Sequence, residues 1–169
     1  MRKIIGGFGL LSGLLNLAYL IYMGLNKSNH NFANGFIYGY ATMVISLSLV
    51  FVGVYKAKQQ HVSETFKYGK AFLTGLGISF ISACMYALGW FIVNHWLYPS
   101  FMDDYVNYEI SLMKTSGKSA EDLELFAQQM MAYAEMYQNP FLAFLISLSE
   151  ILPLGFLFSV LAAAFFRKN

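Results

Sequence analysis

The stretch Phe141–Phe166, FLAFLISLSEILPLGFLFSVLAAAFF, is long enough to cross a lipid bilayer as one helix. A bilayer-spanning helix needs about 20 predominantly apolar residues, and this stretch carries a single charged residue, Glu150. A carboxyl group at that depth is costly unless it faces a partner, a cavity or a transport pathway. The stretch therefore predicts a membrane helix, and it marks Glu150 as the first candidate for a functional side chain.

Three further apolar runs of similar length precede this one, at Ile4–Leu25, Phe36–Tyr55 and Gly69–Leu97, and none of them contains an acidic residue. The chain of 169 residues is 57% hydrophobic and 12% charged, whereas a soluble globular domain carries roughly 25% charged residues. We therefore predict an all-α membrane protein. It should form one integral membrane domain over residues 1–169, built on a four-helix transmembrane bundle.

The first run follows Arg2 and Lys3 and could be mistaken for a signal peptide. We interpret it as a retained helix, because it is longer than a typical signal-peptide core and no convincing small-x-small cleavage site follows it.

Basic residues are distributed unevenly between the two ends of these runs. Eight belong to one side and three to the other: Arg2, Lys3, Lys56, Lys58, Lys67, Lys70, Arg167 and Lys168 against Lys27, Lys114 and Lys118. The positive-inside rule then predicts that both termini are cytoplasmic.

The segment between the third and fourth runs has the pattern of two helices. From Phe101, apolar residues recur at one-face helical spacing, and the stretch 115–118 is typical of a turn. Ser119 precedes Asp122 by three residues, the spacing of a helix-capping pair. The second helix carries the stripe Leu123, Phe126, Met130, Tyr133 and Tyr137. We predict an extracytoplasmic helical hairpin over about 99–139.

This predicted hairpin carries seven acidic residues and two basic ones. The pattern has two interpretations, a solvated outer face or a docking surface for a basic partner or a cation. The candidate partner surface comprises Asp103, Asp104, Glu109, Glu121, Asp122 and Glu124.

Small residues recur at intervals of about four along each run, and in lipid such residues let helices approach closely. The third run has the longest ladder: Ala71, Gly75, Ser79, Ala83 and Ala87. Shorter sets are Gly9 and Gly13, Gly35 and Gly39, and Gly155, Ser159 and Ala163. We interpret them as packing faces within one chain rather than as a dimer interface.

Glu150 lies nine residues into its run, roughly 13 Å from the outer end at about 1.5 Å per residue. The same depth on the other runs falls near Asn16, Ser46 and Tyr86–Trp90. We predict that Asn16 faces Glu150, with Ser46 or Tyr86 completing the hydrogen bonding of the carboxyl group.

Two roles for Glu150 remain open. It is either a neutral, hydrogen-bonded residue that locks helices together or a proton- or cation-coupled site. Pro153 frees a backbone carbonyl nearby and permits a kink, which suits either role.

Catalytic signatures are missing from the sequence. We find no HExxH motif, phosphate-binding loop or nucleophile elbow. His30 and His95 belong to one side of the predicted membrane and His61 to the other, and the single Cys84 excludes an intramolecular disulfide. We therefore expect no enzymatic activity, no cofactor, no metal site and no nucleic-acid partner.

Three stretches together form a recognisable pattern. They are Phe66–Phe72 with Gly75, Tyr98–Tyr105 with Lys114 and Gly117, and Glu150–Gly155. This pattern resembles domain-of-unknown-function family 4199, a set of small bacterial four-span membrane proteins, over essentially the whole chain. The resemblance implies the architecture and a bacterial inner membrane. It implies no activity, since the family has none assigned.

The sequence thus favours a non-enzymatic integral membrane component, a partner-binding or accessory subunit with a membrane-protein partner or a second copy of itself. The alternative is a proton- or cation-coupled permease for small solutes, or a subunit of one, centred on Glu150.

Overall fold

A computed structural model describes residues 1–29, 31–60 and 66–167. His30, His61 and Lys168, which entered the predictions above, lie outside the described residues. Seven α-helices form within the described part: α1 (Arg2–Leu25), α2 (Phe32–Leu47), α3 (Leu49–Gln60), α4 (Tyr68–Ile92), α5 (Phe101–Thr115), α6 (Ala120–Gln138) and α7 (Pro140–Phe166). A short 3₁₀ turn, Lys27–Asn29, follows α1, and a π-helical turn, Val93–Leu97, continues α4.

Among the described residues, four helical segments are long and apolar enough to cross a membrane: Arg2–Leu25, Phe32–Gln60, Tyr68–Leu97 and Pro140–Phe166. They confirm the predicted all-α architecture, and the chain is a multi-pass membrane protein. We call the end of the bundle where α1 finishes and α7 begins the far end, since it lies opposite the termini.

The second span is longer than predicted, because its helix begins at Phe32 rather than Phe36 and ends at Gln60 rather than Tyr55. Asn31 explains the early start, since its side-chain oxygen accepts the backbone N–H of Ala33 at 2.9 Å. Such a cap satisfies one of the free N–H groups of the first helical turn.

This span is also broken at Ser48, between α2 and α3. The N–H of Phe51 bonds to the carbonyl of Ser48 at 3.0 Å, and the carbonyl of Ser46 accepts the hydroxyl of Ser12 at 2.8 Å. The buried residues of α2 lie beside the break, whereas Phe36 and many other residues of its first half are exposed. Phe32, at the start of the helix, is an exception, since its ring packs against the core.

Helices α4 and α7 pack through the predicted small residues. The hydroxyl of Ser79 donates to the carbonyl of Gly155 at 3.1 Å and lies 3.3 Å from the hydroxyl of Ser159. A Cβ added at Gly155 would lie 2.7 Å from the Cβ of Ser79. The helices therefore touch along their backbones, and the prediction of packing within one chain is confirmed for this seam.

Helix α1 packs on α4 in the same way, since a Cβ at Gly9 would lie 2.7 Å from the Cβ of Ile81. The glycines of α2 behave differently. A Cβ at Gly39 would meet no described atom outside its own helix within 4 Å. The prediction that Gly39 belongs to a packing face within the chain is therefore wrong, because the described residues leave open space beside its Cβ position.

The segment after α4 contains the two expected helices, α5 and α6, which contact each other. Gly117 has a φ of 71° in the turn between them. The hydroxyl of Ser119 accepts the N–H of Asp122 at 3.1 Å and donates to its carboxylate at 2.7 Å, so the predicted capping pair is confirmed. The location of α5 and α6 on the extracytoplasmic side of the membrane stays a prediction.

The α5–α6 pair folds back onto the far end of the bundle. The ring of Phe101 lies 4.9 Å from that of Trp90, a residue of α4. Near the start of α2, the ring of Phe32 stacks on Tyr108 with centroids 5.4 Å apart. The pair therefore packs against both α4 and α2.

Candidate functional site

A cavity of about 620 Å³ lies at the far end, between α1, α2, α4, α7 and the α5–α6 pair. Ligand pockets in proteins typically measure about 300–1,000 Å³. Eleven of the lining side chains are aromatic: Tyr19, Phe32, Phe36, Tyr40, Tyr86, Trp90, Phe101, Tyr105, Tyr108, Tyr133 and Tyr137. Aromatic rings therefore form half of the cavity wall, and three small residues of α2, Ala33, Gly35 and Gly39, also line it.

Glu150 is part of the cavity wall. The hydroxyl of Tyr86, on α4, donates to its Oε2 at 2.7 Å, and the hydroxyl of Tyr137, on α6, donates to its Oε1 at 3.1 Å. The hydroxyls of Tyr137 and Tyr133 lie 3.2 Å apart. Glu150 therefore lies within a hydrogen-bonded chain, between Tyr86 and Tyr137, that joins three helices.

The other predicted partners of Glu150 are arranged differently. Asn16 lines the same cavity, but its amide donates to the hydroxyl of Ser82 at 3.3 Å. The hydroxyl of Ser46 donates within its own helix, to the carbonyl of Met43 at 2.9 Å. Counting equal depths along the helices placed Asn16 level with Tyr86. The structure instead places it beside Ser82, one turn earlier on α4, so α1 is shifted along its axis by about one turn relative to that expectation.

Tyr137 is the partner that sequence reasoning missed. It was placed on the stripe of a helix outside the membrane, with no expected contact to Glu150. Asn139 ends α6 and also caps α7, since its side-chain oxygen accepts the N–H of Phe141 at 3.0 Å. The chain therefore reverses within one residue, and the end of α6 lies against α7. The pair Tyr133 and Tyr137, spaced by one turn, was the available signal.

Pro153 lies inside α7, which continues through it. Proline has no N–H, so the carbonyl of Ser149, one residue before Glu150, lacks its usual helical donor. The hydroxyl of Ser149 itself donates to the carbonyl of Ile146 at 2.7 Å.

A second cavity of about 160 Å³ lies behind Tyr137, which lines both cavities. Asn94, on the π-helical turn, also lines it, together with His95 and Asp103. The side-chain oxygen and nitrogen of Asn94 are buried and have no hydrogen-bond partner among the described residues. A cavity of this volume can hold several water molecules at about 30 Å³ each.

The acidic residues of the α5–α6 pair do not form one patch. Asp103 and Asp104 occupy the first turn of α5, and Glu121 and Asp122 occupy the first turn of α6. The positive end of the helix dipole favours carboxylates at these positions. The two helices run antiparallel, so these groups lie at opposite ends of the pair.

Of the remaining acidic residues, Glu124 follows the second group, and Glu109 lines the large cavity. The structure therefore separates the residues of the candidate partner surface.

Phenol groups of the α5–α6 pair are kept neutral by their surroundings. Burial, followed by the charge of Glu109, raises the pKa of Tyr105 to about 12. Burial, followed by the charge of Glu150, raises the pKa of Tyr137. Both hydroxyls therefore remain hydrogen-bond donors at physiological pH.

These features define an all-helical, multi-pass membrane protein with a carboxyl group in the wall of an aromatic cavity. The chain belongs to the family described as Protein of unknown function (DUF4199), which it matches over residues 7–168. The resemblance that its motifs suggested is confirmed. Comparison with curated proteins and with solved structures gives no match.

Proposed function

We propose that the protein binds a small solute in the far-end cavity and couples that binding to a proton or cation at Glu150, as a permease or a subunit of one. The observation that carries the proposal is a carboxyl group in the wall of a 620 Å³ cavity, bonded to two tyrosine hydroxyls. A carboxyl group inside a membrane protein commonly marks an ion or substrate pathway.

The hydrogen-bond chain can satisfy Glu150 in both protonation states. When the carboxylate is ionised, Tyr86 and Tyr137 each donate to one oxygen. When it is protonated, its O–H can donate to Tyr137, which then turns its own hydrogen toward Tyr133, 3.2 Å away. A carboxyl group that exchanges protons must be hydrogen-bonded in both protonation states, whereas one that only holds helices together needs hydrogen bonds in a single state.

The charge of Glu150 also lacks a permanent counter-ion in the cavity. Among the described residues that line it, none is Lys, Arg or His. An ionised carboxylate in a partly desolvated site is costly without a positive partner. A proton or a bound cation can supply that partner, and competition between the two would couple them.

The family resemblance supports a bacterial inner membrane location, and the distribution of basic residues supports cytoplasmic termini with the cavity facing outward. The accessory-subunit alternative has weaker support, because its acidic surface is divided between the two ends of the α5–α6 pair. A membrane-protein partner or a second copy would have to bind elsewhere.

Infrared difference spectroscopy tests whether Glu150 exchanges protons. The purified protein is moved between acidic and alkaline buffer, and the protonated-carboxyl band is followed. We expect a reversible band that Glu150→Gln removes. Glu135→Gln is the matched control, since Glu135 is an exposed acid on α6. A Glu150 band that stays unchanged across the pH range would overturn the proposal in favour of a structural lock.

A further inference from the structure

We infer that the solute is an organic cation with an apolar body, such as a substituted ammonium or phosphonium ion. This inference rests on the proposed function, since it names the substrate class of the same cavity. It combines the charge of the cavity wall, the aromatic surface and the size of the space.

Among the described residues that line the cavity, the charged side chains are all acidic. Glu150 and Glu109 are its two ionisable acids, and Lys, Arg and His are not among the described lining residues. Both side chains line the same cavity, so both carboxylates act on the same space. These two carboxylates would repel an anionic solute, and both would attract a cation.

Aromatic faces provide the second attraction. A cation within about 6 Å of a ring centroid is stabilised by the negative face of the ring. Eleven aromatic side chains line this space, and they come from α1, α2, α4, α5 and α6. These faces also bury apolar surface, so they favour a cation that carries hydrocarbon or aromatic groups.

A metal ion fits the cavity less well. Ca²⁺ and Mg²⁺ bind several oxygen ligands at about 2.0–2.6 Å. In the described part of the chain, no group of three His, Cys, Asp or Glu side chains is placed to hold a metal ion. The space of 620 Å³ is of the size that accommodates organic ligands.

The test uses two probes of the same shape and opposite charge, tetraphenylphosphonium and tetraphenylborate. Trp90 lines the cavity and reports binding by fluorescence. The second tryptophan, Trp96, is 70% exposed and does not line the cavity, so Trp96→Phe leaves Trp90 as the sole emitter. Titrations are made on the full chain in detergent micelles.

We expect saturable quenching of Trp90 by tetraphenylphosphonium and none by tetraphenylborate. Removing the charge with Glu150→Gln should weaken phosphonium binding by about 30-fold, because a desolvated charge pair is lost. Glu109→Gln should weaken it by about threefold, the contribution expected of a partly exposed ion pair. Glu135→Gln should leave it unchanged.

Equal binding of the two probes would overturn the inference, because the cavity would then select shape and not charge. Failure of the phosphonium to bind would also overturn it. Neither result depends on a Glu150 variant that folds. If the probes fail while the infrared band of Glu150 still responds to pH, only the substrate class is wrong; if both fail, the proposed function falls as well.

Discussion

The α4–α7 seam and the far-end cavity are built from opposite kinds of side chain. In the seam, Gly75, Gly155 and Ser159 bring two backbones into contact, and the hydroxyl of Ser79 donates to the carbonyl of Gly155 across it. At the cavity, aromatic rings make the contacts that join α2, α4 and the α5–α6 pair, and they line the space between these elements. Side-chain volume thus decides where the bundle closes and where it leaves room for a ligand.

The difference also separates stability from function. In lipid, close packing of small residues is a principal source of helix association, and the seam is one of the places where it occurs here. The cavity contains the ionisable group and the loosely packed first half of α2. Substitutions in the two regions should therefore have different effects.

The largest expected effect on stability is that of Gly155→Leu in the seam. Its Cβ alone would lie 2.7 Å from that of Ser79, so the helices must separate, at a cost of about 3 kcal/mol. Gly39→Leu is the matched control, because nothing described lies within 4 Å of its Cβ position outside its own helix. Thermal unfolding in detergent measures both. Equal destabilisation would show that the two regions are equally packed.

Tyr86→Phe should have the next largest effect. It removes the 2.7 Å hydrogen bond to Glu150, and hydrogen bonds to charged groups contribute about 1.5–3 kcal/mol. The loss should nearly vanish in a Glu150→Leu background, where no carboxyl group remains to be satisfied. Chemical denaturation of the four proteins of this double-mutant cycle gives the coupling energy. A coupling near zero would mean that the observed contact contributes nothing.

Ser79→Ala should have a small effect, about 0.6 kcal/mol, the typical contribution of a hydrogen bond between membrane helices. The seam would lose the bond to Gly155 but keep its close approach. Thr42→Ala, on the exposed side of α2, is the control, since its hydroxyl bonds only within its own helix. A loss several times larger than expected would indicate that polar contacts, rather than close packing, hold the seam.

The smallest expected effect under ordinary conditions concerns alkaline pH and the α5–α6 pair. Burial, followed by a hydrogen bond to Asp104, raises the pKa of Tyr98 from 10.0 to about 12. Burial, followed by the charge of Glu109, raises the pKa of Tyr105 from 10.0 to about 12. The folded state therefore binds protons more tightly than the unfolded one. The resulting stability is complete below pH 10 and is lost as the pH rises through about 12.

Tyrosinate absorbance and Trp90 fluorescence, recorded together, should show late phenol ionisation and release of the α5–α6 pair while the bundle keeps its helicity. Glu109→Gln should make the ionisation of Tyr105 occur at lower pH. Simultaneous loss of the pair and the bundle would show that the two regions unfold as one unit.

Several elements could be predicted because their signals are local. The four spans follow from unbroken apolar runs, the start of α6 from the capping pair Ser119 and Asp122, and the α4–α7 seam from small residues one turn apart. The glycine spacing of α2 resembles that of the α4–α7 seam, but Gly39 does not pack against another described helix. The spacing shows that small residues share one face of a helix, and it does not show which element packs against that face. The break at Ser48 had no recognised sequence signal.

The candidate site was predictable only in part. Glu150 stands out by its charge, and depth counting correctly included Tyr86 among its possible neighbours. Counting failed for Asn16, since helices that pack with an axial offset bring together residues at different counted depths. Tyr137 was missed because it belongs to a helix assigned outside the membrane.

The sequence by itself determined which segments are apolar enough to cross a membrane, where α6 starts and which carboxyl group is exceptional. These properties depend on hydrophobicity, capping and charge, which act over a few residues. Only the tertiary structure decided that α6 turns back onto α7, that two tyrosines meet Glu150 and that aromatic rings enclose a cavity around it. Those outcomes depend on helix offset and on the volumes of side chains distant in sequence, which packing alone brings together.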